Sequence, residues 1–272
     1  MWTSPKVSVI LTVYNSAPSY SCIPYLHEAL ISLCDAYRPL ELVLVDDGST
    51  DGSPAYAEWA RRRLLPKDVE LQFLPSRINQ GVGHARNRGL RAATGELLTF
   101  LDHDDVILPN GIRSRVEFLE AHGVDAVYAR RDLLVHDGFL RRVEHHVEPY
   151  HGDGFTELKT GRDQFEYLLR KRRVFGHATL MCRRHVLDTI GFFREERELM
   201  GLENYGWLLK LFLRFFVRYL DEPVFLLRRG HRREHLAATW EGNPDRDRIF
   251  DEVLVPMCLG ELTSGAFGDA IE

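Results

Sequence analysis

Cysteine is scarce in this chain. The four present, Cys22, Cys34, Cys182 and Cys258, are scattered without the short paired spacing of a metal-ligand set, which argues against zinc. They read as reduced thiols of a cytosolic protein. Long apolar runs are missing as well: no stretch approaches the ~20 residues needed to span a bilayer. The N-terminus passes straight into Lys6-Val7-Ser8-Val9-Ile10, with no basic and apolar leader before it. The expectation is a cytoplasmic protein with no transmembrane segment. A large charge excess is also lacking. The formal charge of -5 over 272 residues gives no default basic face for nucleic acid. What remains is an ordinary globular composition, 44% hydrophobic and 28% charged. That is enough for one large α/β domain with a smaller appended region, or for two domains.

The apolar residues fall into strand-length and helix-length runs. Val7 to Tyr14 is rich in β-branched residues and closes in the polar turn Asn15-Ser16-Ala17-Pro18. Leu26, Ala29, Leu30 and Leu33 recur at helical spacing before Pro39. Glu41 to Val45 is a second strand, and it ends in Asp46 and Asp47 ahead of Gly48-Ser49-Thr50-Asp51-Gly52. A helix over 55–64, a strand over 69–74 and a helix over 81–93 follow, the last carrying Arg86, Asn87 and Arg91. This alternation predicts a parallel sheet with right-handed crossovers, whose strand ends gather along one edge. Gly81-Val82-Gly83 at the start of the third helix serves either as a turn or as an approach for a phosphate.

The stretch Leu97-Leu98-Thr99-Phe100-Leu101-Asp102-His103-Asp104-Asp105 is an apolar strand that ends abruptly in three carboxylates. Open α/β sheets bind ligands at the carboxyl ends of their strands, and clustered carboxylates repel unless a cation joins them. Taken alone, the pattern is either a divalent-metal site or an Asp-rich turn.

Four motifs in order and spacing decide between these readings. Val7 to Asn15, Val45-Asp46-Asp47-Gly48-Ser49-Thr50-Asp51-Gly52, Asn79-Gln80-Gly81-x-Gly83-x-Ala85-Arg86-Asn87-x-Gly89 and Phe100-Leu101-Asp102-His103-Asp104-Asp105 together resemble the family 2 glycosyltransferases. The resemblance implies an α/β protein of the GT-A fold, a Rossmann-like nucleotide-binding α/β/α sandwich with a mostly parallel central sheet and a smaller acceptor-side region. It implies a nucleotide-sugar donor, with Thr12 and Tyr14 beside the base and Asp46 and Asp47 hydrogen-bonding it. Arg86 would point at the nucleotide or its phosphates, with Asn79 in the supporting loop. Asp102 would lie on the ribose or metal side, Asp104 would ligate Mn²⁺ or Mg²⁺, His103 would wall the donor pocket, and Asp105 would support or cap the next helix.

The second half is less regular. Ile112, Val116 and Leu119 form a helix face, 124–130 a strand, 133–147 a hairpin, and a helix is expected about 164–170. His145, His146 and His151 read as surface-loop residues. Gly176-His177-Ala178-Thr179-Leu180-Met181, the pair Arg183-Arg184 and Gly191-Phe192-Phe193 extend the resemblance. Next comes Glu203-Asn204, where the family normally shows Glu-Asp with the aspartate as general base. An asparagine cannot take a proton at neutral pH, so either the adjacent Glu203 takes that role, or another acid does, or the activity is altered; Glu203 is the expected base. Arg228 and Arg229 are expected as phosphate contacts and His231 as a third metal ligand. Residues 161–235 carry 16 Lys and Arg against 10 Asp and Glu, a net of +6, so this part suits a diphosphate. The run Arg170-Lys171-Arg172-Arg173 is a solvated helix end or a peripheral contact with anionic lipid.

The expected organisation is a nucleotide-sugar-binding half over 1–110, an acceptor-binding half of the same domain over 111–243, and a C-terminal helix and tail over 244–272. The expected activity is metal-assisted, inverting sugar transfer from a UDP-sugar to a glycan, lipid-linked or small-molecule acceptor. The rivals are a nucleotidyltransferase and a binding module that kept the donor pocket without its base.

Overall fold

The computed structural model describes residues 4–16, 25–136, 142–147, 158–171, 177–196, 199, 201–229, 246–257 and 260. The first four strands are β1 (Val7–Val13), β2 (Leu40–Asp46), β3 (Val69–Pro75) and β4 (Leu97–Asp102). They alternate with helices α1 (Tyr25–Ser32), α2 (Ser53–Arg63) and α3 (Val82–Ala92). All four strands are parallel, in the order β3-β2-β1-β4. β1 and β2 are buried along their whole length, as their unbroken apolar runs require in a sheet covered on both faces. β3 is partly exposed and ends in Pro75, which an edge strand tolerates.

After β4 come β5 (Val106–Ile107), α4 (Gly111–His122), β6 (Ala126–His136) and β7 (Arg142–Val147). They are followed by α5 (Gly161–Lys171), a 3₁₀ turn (His177–Thr179), β8 (Leu180–Arg183), α6 (Arg184–Ile190), α7 (Glu203–Arg214) and β9 (Arg218–Arg229). The sheet is not mostly parallel beyond β4. β8 runs antiparallel to both β4 and β6, β9 is parallel to β6, and β6 pairs with β7 as the expected hairpin. The cause is local. Thr99 pairs with Met181 and Leu97 with Arg183, so the chain enters β8 from the end where β4 stops and has to run back along it. The closing segment is one helical turn, Arg246–Arg248, leading into a π-helical Ile249–Leu254, in place of the regular helix expected.

Alternation along the central strands divides the interior into two cores. Ile10, Val43, Val45, Leu98 and Phe100 face one, with Leu180, Phe193, Trp207 and Leu208. Val9, Leu11, Leu42, Leu44, Leu97 and Leu101 face the other, with Leu26, Leu30, Ile112 and Val116. Both cores draw residues from before and after position 110. The topological switch point lies between β1 and β4: β1 leads outward to β2 and β3, then the chain returns to β4 on the other side. A crevice opens outside the carboxyl ends of strands at such a point. No helix among the described residues is long and apolar enough to cross a membrane.

Candidate active site

The ends of β1, β2 and β4 meet at the switch point. Thr12 of β1 pairs with Asp102 of β4, and Val13 pairs with Asp46 of β2. Neighbouring strands lie about 4.8 Å apart, so Asp46 and Asp102 end strands on either side of β1, with roughly 10 Å between their backbones and their side chains on opposite faces of the sheet. Tyr14 follows β1 and is exposed. Asn15, at φ 47°, ties this loop to the next: its Oδ1 accepts the Thr50 amide at 2.8 Å, and its own N–H donates to Ser49 Oγ at 2.9 Å.

The two acids ending β2 have different duties. Asp47 Oδ1 accepts the Gln80 amide at 3.0 Å and its Oδ2 the Gly81 amide at 2.9 Å, so its carboxylate anchors the entry to α3. Burial raises its pKa, and those two amides work against the rise. Asp46 Oδ2 accepts the Ser49 amide at 3.2 Å, while its Oδ1 is buried without a hydrogen-bond partner. Gly48 makes this packing possible. At φ +75° it lies against the 78–79 backbone, and a Cβ there would sit 2.3 Å from the Ile78 carbonyl carbon. Asn79 is exposed in that same loop.

The glycines of α3 serve packing. Gly81 is the N-cap, held through its N–H by Asp47, and Gly83 presses on the Arg194 carbonyl, where a Cβ would come within 2.6 Å. This close approach sets the buried Arg86 against Asp102 and the start of α7. Asn87 holds the 193–195 loop, donating to the Phe193 carbonyl at 2.9 Å and accepting the Phe193 amide at 2.8 Å.

Arg86, itself buried, joins the two halves of the chain. Nη1 donates to Asn204 Oδ1 at 2.7 Å and to Glu203 Oε1 at 3.3 Å. Nη2 reaches Asp102 Oδ1 at 3.1 Å and lies 2.8 Å from His177 Nε2. Burial opposes ionisation of Asp102, yet His177 and Arg86 outweigh it and hold the carboxyl well below the usual range. Burial and Arg86 push His177 below its ordinary value. Asp102 keeps 31% of its side chain exposed, against 4% for Arg86, so the carboxylate, not the guanidinium, is open to the crevice. Glu203 opens α7, and its Oε2 accepts the Gly201 amide at 2.6 Å. Beneath lies an aromatic floor. The Phe100 ring meets His177, Phe193 and Trp207 edge-on, at centroid distances of 5.7, 5.5 and 6.1 Å.

The acidic turn after β4 differs from expectation in one respect. Asp105 does not cap the next helix; its Oδ1 accepts the Arg228 amide at 2.9 Å and fastens β9 to the turn. Burial, together with the charges of Asp104 and Asp102, raises the Asp105 pKa well above the ordinary value. Arg228 is likewise committed elsewhere than to the open crevice: Nε donates to the Asp104 carbonyl at 2.7 Å, and the guanidinium pairs with Glu28 and lies 4.5 Å over the Tyr25 ring. His103 is partly exposed in the turn. Arg229 ends β9. His145 and His146 fall within β7, whereas Cys22, Cys258, His151, Arg172, Arg173 and His231 lie outside the described residues. Among the described residues, no group of three His, Cys, Asp or Glu side chains is placed to hold a metal ion.

His177, Asn87 and Phe193 belong to sequence motifs that do not by themselves disclose what these side chains do. The sequence signal for all three is their position in the motifs; the contacts of His177 with Asp102 and of Asn87 with Phe193 and Glu195 span 75 to 108 residues.

A parallel β3-β2-β1-β4 sheet with carboxylates at its switch point, continued by antiparallel strands, is the GT-A nucleotide-binding fold. Residues 8–191 match the family model of glycosyl transferase family 2, and the chain belongs to that family. The putative glycosyltransferase EpsE of Bacillus subtilis is 29% identical over 230 residues, covering 84% of this chain and 74% of that protein. An uncharacterised glycosyltransferase of Haemophilus influenzae is 36% identical over 116 residues, 42% of each chain. Among solved structures, S. aureus TarS 1–349 in complex with UDP-GlcNAc is similar at a TM-score of 0.65 and 25% identity, over 86% of this chain and 61% of that one. The chain therefore spans less than two thirds of some of the proteins it resembles.

Proposed function

We propose that this chain is a glycosyltransferase that moves a sugar from a nucleotide-diphosphate sugar, a UDP-sugar in the first instance, to an acceptor hydroxyl. The observation that carries this reading is the convergence of separate sequence motifs at the carboxyl ends of β1, β2 and β4, where Asp46 keeps a buried, unpartnered oxygen and Asp102 a partly exposed carboxylate. An orphaned buried acceptor suits the N–H of a pyrimidine edge, and the exposed Tyr14 ring suits its flat face. The UDP-GlcNAc bound to TarS supports uridine as the base. We assign Asp46 and Thr12 to the nucleoside, and Asp47 and Asn79 to the loop that shapes its pocket.

Asp102 and Asp104 fit an oxygen-liking divalent cation, Mn²⁺ or Mg²⁺. Asp102, Asp104 and Asp105 crowd one turn until Asp105 resists ionisation, and a cation with two carboxylates and the donor's phosphate oxygens needs no third protein ligand. Such a cation would act as a Lewis acid on the departing diphosphate, stabilising charge that grows in the transition state. Arg86 pairs with both Asp102 and Glu203 and holds them in place. Glu203 takes the proton of the acceptor hydroxyl, the hydroxyl oxygen bonds the anomeric carbon, and the bond to the diphosphate breaks on the opposite face, inverting that carbon.

A nucleotidyltransferase is not favoured. It would want a glycine-rich phosphate loop after β1, whereas Asn15 and Ser16 spend their amides on Ser49 and Ser53 hydroxyls at 2.9 and 2.8 Å. The test is a panel of UDP-, GDP- and dTDP-sugars with Mn²⁺, read for sugar release and for transfer to glycan, lipid-linked and small-molecule acceptors. Donor-dependent release supports the reading; thermal stabilisation by UDP and Mn²⁺ with no release from any sugar marks a binding module and overturns it.

A further inference from the structure

We propose that His177 is a positioning residue of the donor site: with its ring proton placed on Nε2 by the amide of Asn204, it fixes Oδ1 of Asp102 and leaves Oδ2 to the crevice. This rests on the reading of Asp102 as a donor-site carboxylate.

A count of donors and acceptors carries the argument. Arg86, His177, Asn204 and Asp102 form a closed ring of contacts, and Arg86 can only donate. Its Nη1 lies 2.7 Å from Asn204 Oδ1, which accepts. The other end of the amide, Nδ2, lies 3.2 Å from His177 Nδ1, so Nδ1 must accept and the single proton of a neutral ring goes to Nε2. From there it points at Asp102 Oδ1, 3.3 Å away. One mismatch remains, the 2.8 Å approach of Arg86 Nη2 to Nε2, and there the two donors converge on the same Asp102 oxygen.

The reverse arrangement is worse. Turning the amide to accept a proton from Nδ1 sets its NH₂ against Arg86 Nη1 at 2.7 Å. It also leaves the bare Nε2 facing a carboxylate oxygen. Two mismatches replace one. A carboxylate at 204 would reverse this preference, because both of its oxygens accept: one would take Arg86, the other Nδ1–H, and Nε2 would accept from Arg86. Asp102 would then lose the histidine as a donor. Position 204 therefore sets which nitrogen of His177 is protonated, and through it how firmly Asp102 is held.

The test has two arms. In ¹⁵N-histidine-labelled protein, with the His177 signals assigned by their loss in His177→Gln, a long-range ¹H–¹⁵N spectrum is expected to show a protonated Nε2 and a bare Nδ1. The pattern should be reversed in Asn204→Asp. Protonated Nδ1 in the native chain overturns the inference. In the second arm, UDP affinity is measured by calorimetry with Mg²⁺. His177→Ala should weaken it about tenfold, while His177→Gln, which can restore a donor toward Asp102, recovers most of the loss. Affinity of His177→Ala within twofold of the native chain also overturns the inference. If the native chain binds no UDP, the donor-site reading fails, and the nitrogen assignment is decided by the first arm.

Discussion

Asp102 and Asp105 lie three residues apart and titrate in opposite directions, and the difference is one of partners. Asp102 faces Arg86 and His177, whereas Asp105 has like charges beside it and a backbone amide in front. Asp104, between them, is the acid assigned to the cation, and Asp104→Ala should cut metal-dependent sugar release by a hundredfold or more, a loss of about 2.7 kcal/mol of transition-state stabilisation. Circular dichroism of the variant should match the native chain; retained release would remove Asp104 from that role. Arg86 has the opposite profile. It is the cation that contacts both Asp102 and Glu203, and Arg86→Met would leave the buried Glu203 carboxylate and the partly exposed Asp102 without it, costing about 3 kcal/mol in urea unfolding. A loss under about 1 kcal/mol would show that the network is not a stabilising ion cluster. At this scale the residue types of the site were legible in the sequence, because strand ends and acidic turns are local patterns. Their partners were not. Arg86 meets Glu203 across 117 residues and Arg228 meets Asp105 across 123, and no local periodicity encodes such pairs.

At the scale of elements, the first hundred residues were legible because each strand is an unbroken apolar run and each helix a periodic one, joined by short turns. The direction of β8 was not, since it depends on where the 3₁₀ turn of His177 docks against β4. The turn between α3 and β4 shows another link that only the fold reveals. Glu41, fully buried at the amino end of β2, accepts Thr94 N–H at 2.7 Å, Thr94 Oγ1–H at 2.7 Å and Gln72 Nε2–H at 2.9 Å, besides the Ser8 hydroxyl. Burial opposes its ionisation, but these donors prevail and lower its pKa from 4.5. A carboxyl depressed in the folded state contributes stability that is present above its unfolded pKa and is lost as pH falls through the folded value. Glu41→Gln puts an NH₂ among those donors and should cost about 2 kcal/mol at pH 7. The deficit should persist down to pH 5 and shrink below about pH 4.5, the carboxyl's ordinary value. Equal deficits at pH 7 and pH 3 in denaturant titrations would show that shape, not charge, sets the cost.

At the scale of the molecule, the two halves expected on either side of residue 110 share both hydrophobic cores. Phe100, from β4, has Phe193 and Trp207 as its ring neighbours, and these two stack on each other with centroids 5.0 Å apart. Leu101, one residue on, belongs to the opposite core with Phe225 and Val224 of β9. Removing everything after 110 would strip both faces of β4 and leave its hydrogen-bonding edge without β8, an exposed apolar strand of the kind that aggregates. Fragment 1–110 is therefore expected to show no cooperative thermal transition and to bind hydrophobic dye, whereas the full chain should melt in a single transition as one cooperative unit. A fragment 1–110 with dispersed amide resonances and its own sigmoidal melt would mean that the nucleotide-binding half folds alone, and that the Arg86 contacts to Glu203 and His177 join two independently stable bodies.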